Sequence, residues 1–303
     1  MRALVRSGGT VGLQQVAMPA PAAGHALVRV MSAGLCRTDC EVAAGRLSTR
    51  DPLILGHEFS GIVESPAAGG SITAGESVAC MPFVACGRCA ACKSGADCSK
   101  KLQLGVDLDG AFAEFVSVPE TCLRPLPRDL DFAAGAFAEP VAAAMAVLDL
   151  GLPRCEPGVV LGSGRIAELT HRVLLAAGFE RVTLAEPSAN HAEGSQSFCV
   201  ETRADSRLIR SALLALAPGG TLVLKSRSHR PVELDIGLCV RKRIRLLSAD
   251  YGDMELGLRW VAEGRLQVRD LFAPAAPLEA FEDVFARAAQ SERQKLFFNL
   301  ERG

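Results

Sequence analysis

Residues 159–169 read Val159-Val160-Leu161-Gly162-Ser163-Gly164-Arg165-Ile166-Ala167-Glu168-Leu169, and the order of these side chains decides the fold. A short apolar run rich in valine reads as a strand, two glycines punctuate it, and a helical pattern follows. Ile166, Leu169, Val173, Leu174 and Ala177 keep a 3.6-residue apolar period, which predicts a helix over 166–177. A strand that turns through Gly162 and Gly164 into a helix is the context of a dinucleotide fingerprint. The glycines let backbone amides approach a pyrophosphate at the helix N-terminus. Alone the pattern is weak; its surroundings give it weight.

Outward from this stretch the alternation continues. Strands are predicted at 181–185, 198–202, 221–225 and 244–249, with helices at 206–217 and 253–263. Strands that alternate with helices argue a parallel sheet, and hence an α/β class. Upstream, Pro140 suits the first position of an alanine- and leucine-rich helix over 141–150. Glu139 precedes that proline, so its backbone is expected to be extended, with its carboxylate at the positive end of the helix.

Before Pro140 the character changes. Short strands at 26–33, 59–64 and 112–118 lie among Pro19, Pro21, Pro52, Pro66, Pro82 and Pro119, which forbid long helices. A helix over 278–289 and a strand over 295–300 are placed to return to this β-rich half. A chain of 303 residues exceeds what one core usually holds. Two domains are therefore expected: 1–145 completed by 270–303, and 146–269 between them.

Composition excludes several classes. Basic and acidic residues nearly balance, 33 against 34, so no nucleic-acid footprint is expected. Arg2 and Arg6 flank too few apolar residues for a signal peptide. The greasiest stretch, 132–150, is interrupted by Glu139-Pro140 and Asp149, which argues against a membrane span. Eleven cysteines in so long a chain do not make a secreted disulfide scaffold, so a cytoplasmic setting is expected.

The cysteines and histidines instead carry a ligand pattern. Cys36 is followed by Gly56-His57-Glu58, and then by Cys86, Cys89, Cys92 and Cys98 in CGRCAACKSGADC. Thiolates with one imidazole and nearby carboxylates are the donors zinc prefers. The clustered four resemble a closed structural site, and the dispersed set an open one. A bland alternative stands beside each: Cys36 as a buried thiol, His57 as a satisfied loop residue, the cysteine lobe as metal-free or partly oxidised. His171, His191 and His229 have no ligand company and read as surface or helix residues. Cys40, Cys80, Cys122, Cys155, Cys199 and Cys239 read as small buried hydrophobes. Arg241-Lys242-Arg243 with Arg245 reads as a solvated strand entrance, with phosphate attraction as the alternative.

Taken in order, GLCRTD, GHE, CGRCAAC, DGAFAEF, FAEP, VVLGSGRIAEL and LAPGGTLVLKS resemble the zinc-dependent medium-chain dehydrogenase/reductase family over nearly the whole chain. That resemblance implies a GroES-like catalytic domain and a Rossmann domain, with chemistry in the cleft between them. It makes Cys36, His57 and Glu139 the catalytic zinc ligands and Glu58 an adjacent, sometimes exchanging, carboxylate. Thr38 becomes the hydroxyl that passes the substrate proton, with a β-branched strand residue as the alternative. Asp39 becomes the carboxylate that orients His57. Cys86, Cys89, Cys92 and Cys98 become a structural zinc site. Gly162, Gly164, Arg165, Ile166 and Glu186 become cofactor contacts, the acid at 186 favouring NAD over NADP. Glutamate rather than cysteine at 139 resembles the polyol, sugar and threonine branch, so the implied substrate is a polar secondary alcohol. A homodimer through the sheet edge near 244–249 is also implied. Cys40 stands where the family often has a relay histidine, leaving solvent, Glu41 or the cofactor ribose as routes for the proton.

Three departures qualify the resemblance. Only Lys93 to Asp97 separate the last two lobe cysteines, shorter than the family's usual span. Between Glu186 and Phe198 lies PSANHAEGSQS, where the family spends a helix and a strand. The next loop reads Thr202-Arg203-Ala204-Asp205, where the family tends to have glycine. The Rossmann sheet is thus expected to be shortened after its second strand, with one face short of cover and the adenine pocket short of a wall. The expected function is hydride transfer between a secondary alcohol and NAD. The alternative is a degenerate member that keeps the zinc cleft for redox-neutral chemistry or serves as a non-catalytic partner.

Overall fold

The computed structural model describes residues 1–95, 97–186, 189, 191–227, 231–290 and 293–301. In chain order the strands are β1 (Arg2–Ser7), β2 (Thr10–Gln15), β3 (His25–Gly34), β4 (Leu53–Ile54), β5 (Glu58–Ser65), β6 (Ser77–Cys80), β7 (Phe83–Val84), β8 (Leu102–Gln103) and β9 (Phe115–Pro119). They continue with β10 (Leu123–Pro125), β11 (Gly158–Leu161), β12 (Val182–Ala185), β13 (Gln196–Glu201), β14 (Leu216–Leu224), β15 (Arg245–Ser248), β16 (Ala276–Pro277) and β17 (Phe297–Asn299). The α-helices are α1 (Arg37–Ala43), α2 (Ala90–Ser94), α3 (Phe132–Ala136), α4 (Ala138–Met145), α5 (Arg165–Ala176), α6 (Ser206–Ala215), α7 (Ile236–Lys242), α8 (Met254–Ala262) and α9 (Phe281–Gln290). Among the described residues no helix is long and apolar enough to cross a membrane. Two compact units result, Met1–Glu139 with Arg269–Gly303, and Pro140–Val268.

The first unit is β-rich. Strands β1 and β2 form a hairpin through Gly8 and Gly9, both at positive φ, the conformation a two-residue hairpin turn demands. The main sheet runs β10-β6-β5-β3-β17-β16, and β9 also pairs with β3. The C-terminal strand β17 lies antiparallel to β3, with Phe297 opposite Gly34. Its aromatic side chains explain why it docks: Phe298 is fully buried and meets Phe112 edge-on at 4.9 Å. Leu4, Val28, Phe59, Val78 and Val116 complete that core.

The second unit is a five-stranded sheet of order β12-β11-β13-β14-β15, every recorded pairing parallel. This is the α/β, doubly wound arrangement expected, shortened after its second strand. Neighbours β12 and β13 flank β11, and among the described residues between Ala185 and Gln196 there is neither helix nor strand. Helix α5 packs on β11 and β12, α6 on β13 and β14, and α7 on β14.

The expected loss of cover over one face is corrected by the burial pattern. Val159 and Leu161 share a cluster with α6, while Val160, Val200 and Val223 are also fully buried. The central strands stay dry on both sides. Shortening tells instead at the edge, where Thr183 of β12 is exposed.

Three local expectations also change, and the alternative reading of Thr38 as a strand residue falls away. Glu139 is helical, the second residue of α4, because α3 leads almost directly into α4 and Pro140 falls in a first turn that needs no amide donor there. Thr38 lies in helix α1 and not in a strand. Residues 241 and 242 end helix α7, whose first turn is capped by Asp235. Lys242 donates from Nζ to the carbonyls of Leu213, Leu214 and Leu216, closing the end of α6. Cys155 is exposed, whereas Cys80, Cys122 and Cys199 are buried. His229 lies outside the described residues.

Candidate active site

The centre of the first unit is organised by one carboxylate. Strand β3 ends at Gly34, and Cys36 caps α1 with an extended backbone, φ −101° and ψ 158°. Asp39, at the third position of that helix, reaches back so that its Oδ2 accepts from the Cys36 amide at 2.8 Å. Its Oδ1 accepts from the Gly56 amide at 3.2 Å and lies 3.1 Å from His57 Nδ1. Asp39 is fully buried. One side chain therefore ties the thiol-bearing turn to the imidazole-bearing loop. With Nδ1–H donated to Asp39, His57 keeps Nε2 as its lone-pair donor.

Gly56 makes this loop possible. Its φ is +95°, and a side chain there would run into the Phe112 ring. Its carbonyl accepts from Ala111 at 2.9 Å, fixing the loop from beneath. The chain then enters β5 at Glu58, register partner of Gly34.

Cys36, His57 and Glu58 place one donor atom each within 4.8 Å of one another. Sulfur, nitrogen and carboxylate oxygen in a shielded setting suit zinc. Burial opposes ionisation of Cys36, yet facing His57 and Lys295 outweigh it and lower its pKa. Burial also penalises the His57 imidazolium, and the charges of Asp39 and Cys36 reverse that, raising its pKa well above the ordinary value. Thr38 Oγ1 is 3.7 Å from Cys36 Sγ. Glu139 is buried in the first turn of α4 and stands outside the group of three.

Lys295 was not legible as a site residue. It is fully buried and ion-paired with Glu58. Burial lowers its pKa to about 8, against the pull of Cys36, Asp39 and Cys40. The only signal in sequence was a lone lysine entering an aromatic strand.

In the cysteine lobe all four sulfurs also fall within 4.8 Å. Cys89 Sγ is 3.4 Å from Cys92 Sγ and 3.9 Å from Cys98 Sγ, and Cys86 Sγ is 3.8 Å from Cys92 Sγ. Four sulfurs bound to one zinc at ~2.3 Å are separated by roughly 3.8 Å, so the quartet has the span of a tetrahedral site. Backbone amides of Arg88 and Cys89 bring Cys86 down to about 6. Cys89 caps α2 and its Sγ accepts from the Cys92 amide at 3.4 Å. The shorter loop still brings Cys98 home.

In the second unit, Gly162 leaves β11 and Gly164 caps α5. A side chain at Gly162 would strike Thr202 Oγ1 and come within 3.0 Å of Ala167 Cβ, so close strand–helix packing requires the glycine. The Gly162 amide donates to Ala185 at 3.0 Å, and the exposed Glu186 follows at the end of β12. Gly162 and Glu186 thus stand side by side at the carboxyl ends of adjacent strands, with Arg165 and Ile166 opening α5. Asp205 of the altered loop caps α6, accepting from Arg207 and Leu208 at 3.0 Å.

Two further groups at this sheet edge escaped the sequence reading. Glu201 is buried at the end of β13 and accepts from the Lys225 and Ser226 amides at 2.9 and 3.0 Å. Lys225 directs Nζ to the carbonyls of Ala249 and Asp250 at 3.2 and 3.3 Å.

Comparison with known proteins identifies the family. Residues 22–128 match the family profile described as an alcohol dehydrogenase GroES-like domain. An L-threonine 3-dehydrogenase of Symbiobacterium thermophilum is 30% identical over 293 residues, covering 83% of this chain and 82% of that one. The L-threonine 3-dehydrogenase of Bacillus subtilis is 33% identical over 193 residues, covering 60% of this chain and 55% of its own length. The chain thus spans about half the length of that relative. Among solved structures, a zinc-binding dehydrogenase of Sinorhizobium meliloti bound to NADP has a TM-score of 0.90 at 26% identity, covering 98% of each chain. Galactitol-1-phosphate dehydrogenase from Escherichia coli shares the fold, with a TM-score of 0.88 at 23% identity over 99% of this chain and 100% of that one. By these matches the chain belongs to the zinc-dependent medium-chain dehydrogenase/reductase family.

Proposed function

We propose that the protein is a zinc- and nicotinamide-dependent dehydrogenase of a polar secondary alcohol, of the polyol, sugar or amino-alcohol kind. The observation that carries this is the Asp39 bridge, which holds Cys36 and His57 together with a hydroxyl 3.7 Å from the sulfur. Cys36, His57 and Glu139 would hold the catalytic ion, with Glu58 beside them, and Cys86, Cys89, Cys92 and Cys98 a structural one. When bound, zinc supplies a Lewis acid for the alcohol oxygen and the nicotinamide a hydride acceptor.

The remaining work falls to the chain. Asp39 keeps Nδ1 of His57 protonated and its ring fixed. Thr38 takes the substrate's hydroxyl proton in a hydrogen bond and hands it outward. Cys40 cannot continue that relay near neutral pH, since burial pushes its pKa up to about 12. The pyrophosphate would meet the α5 N-terminus at Gly162, Gly164, Arg165 and Ile166. Glu186 would bind the ribose hydroxyls and repel a 2′-phosphate, favouring NAD over NADP. Among substrates, the threonine dehydrogenase relatives point to a β-hydroxy amino acid as first candidate.

The short connection after Glu186 favours a second reading, in which the zinc centre persists without redox chemistry. Calorimetric titration of the zinc-loaded protein separates the two. We expect NAD to bind at millimolar concentration or below, more tightly than NADP, with a nicotinamide absorbance change on adding a polyol or threonine. No heat with either cofactor would leave the redox-neutral reading.

Ile236, Val240 and Leu246 are 69%, 70% and 40% exposed around α7 and β15. Such a run of apolar surface supports a homodimer formed there. A monomer in sedimentation at micromolar concentration would refute it. All eleven cysteines are free, which supports a reducing, cytoplasmic setting.

A further inference from the structure

The strand ends of the second unit carry two buried charged side chains that the proposed chemistry leaves unused. Glu201 closes β13 at 1% exposure, and Lys225 follows directly on β14 at 8%. The Glu201 carboxylate turns toward β14. It accepts from the Lys225 and Ser226 amides at 2.9 and 3.0 Å, and Ser226 Oγ lies 2.7 Å from its second oxygen. Lys225 carries the cross-ties one strand further. Its Nζ donates to the carbonyls of Ala249 and Asp250 at 3.2 and 3.3 Å, the two residues that follow β15. A carboxylate thus straps β13 to β14, and an ammonium group straps β14 to β15.

Position in the sheet gives the second strap a meaning. Strand order reverses beside β11, with β12 on one side and β13, β14 and β15 on the other. A dinucleotide lies across such a reversal at the carboxyl ends of the strands, one mononucleotide on each half. Glu186, at the end of β12, takes the adenosine half in the reading above. The nicotinamide half then falls to the ends of β13, β14 and β15, where Lys225 is fixed. The oxidised nicotinamide ring is a cation and the reduced ring is neutral, so an ammonium group opposes the first far more than the second. Away from bulk water that repulsion is poorly screened. The acids nearby have other work: Glu201 meets two amides and a hydroxyl, and Asp250 pairs with Arg227.

We propose that Lys225 is a specificity-determining residue that acts against the cationic ring of the oxidised cofactor, so that the second unit holds NADH in preference to NAD. This rests on the nicotinamide reading given above and adds to it the redox state that the site selects. The two carbonyls that fix Nζ make the effect directional, because they keep the charge at the strand ends and do not let it swing into solvent.

The test is calorimetric titration of the full, zinc-loaded chain with three probes: NAD, NADH and ADP-ribose, which has no nicotinamide ring. Wild type is expected to bind NADH at least about tenfold more tightly than NAD. Lys225→Met keeps the length of the side chain and removes its charge. It should tighten NAD about tenfold and leave NADH and ADP-ribose within about twofold of wild type. Lys225→Gln, which keeps an N–H donor for the two carbonyls, should do the same and covers the case of a Lys225→Met chain that does not fold. Lys225→Arg keeps the charge and should keep the wild-type ratio of NAD to NADH affinity. An unchanged ratio in the neutral variants, with all three probes bound, would overturn this inference and leave the nicotinamide reading standing. Wild type that binds none of the three would overturn both.

Discussion

Cys36→Ser is expected to lose one metal ion per chain and at least about 10³-fold in kcat/KM for alcohol oxidation, the several kcal/mol that a Lewis acid contributes at a developing alkoxide. Serine keeps the shape of the side chain but offers a neutral hard oxygen in place of a thiolate. The pKa of Cys36 is lowered by His57 and Lys295, so the wild-type sulfur is ready to ligate. A hydroxyl in the same field is not. The cysteine lobe supplies an internal control, since its four sulfurs belong to a separate group. Metal analysis beside steady-state rates checks the result. Unchanged metal content with full activity would remove Cys36 from the chemistry.

Asp39→Asn should weaken zinc binding by about 10–100-fold while changing the shape of the residue hardly at all. The wild-type carboxylate accepts from two backbone amides and faces His57 Nδ1, three partners for two oxygens. An amide has one acceptor and turns an N–H₂ toward one of those donors. Whichever side it takes, a buried N–H is left without its partner, at a cost of about 1–3 kcal/mol. If the amide nitrogen faces the ring, His57 is driven to the tautomer that protonates Nε2. The measurements are a chelator competition for affinity and thermal unfolding of the metal-free protein for stability. Wild-type affinity in Asp39→Asn would mean that the imidazole is oriented by something else.

Sequence made the sheet of the second unit legible because each strand and helix there carries its own periodicity. The run from Val159 to Ala177 contains its strand, its turn and its amphipathic helix without help from elsewhere. The cysteine lobe was legible for the same reason, its ligands being neighbours in the chain. Helix α1 was not, because its cap is a thiol, Cys36, and its stability comes from Asp39 reaching back. Helix α7 was hidden by its basic end, whose Lys242 is employed in closing α6. Glu139 was read from the proline that follows it, although a first-turn proline is compatible with a helix beginning before it. Glu58 stands out beside His57, but its pairing with Lys295 was beyond reach. Their partnership exists only through strand order, and nothing local in either segment announces it.

That strand order has a consequence for how the protein is made. β17 is synthesised long after β3 and β5, the strands whose layer it completes, and the whole second unit leaves the ribosome in the interval. The nascent first unit must wait with Glu58 unneutralised and the Phe112 side of its core uncapped. The second unit, built from consecutive segments, can collapse during that wait. Pairing of Glu58 with Lys295 therefore comes late, gated by arrival of a single aromatic strand.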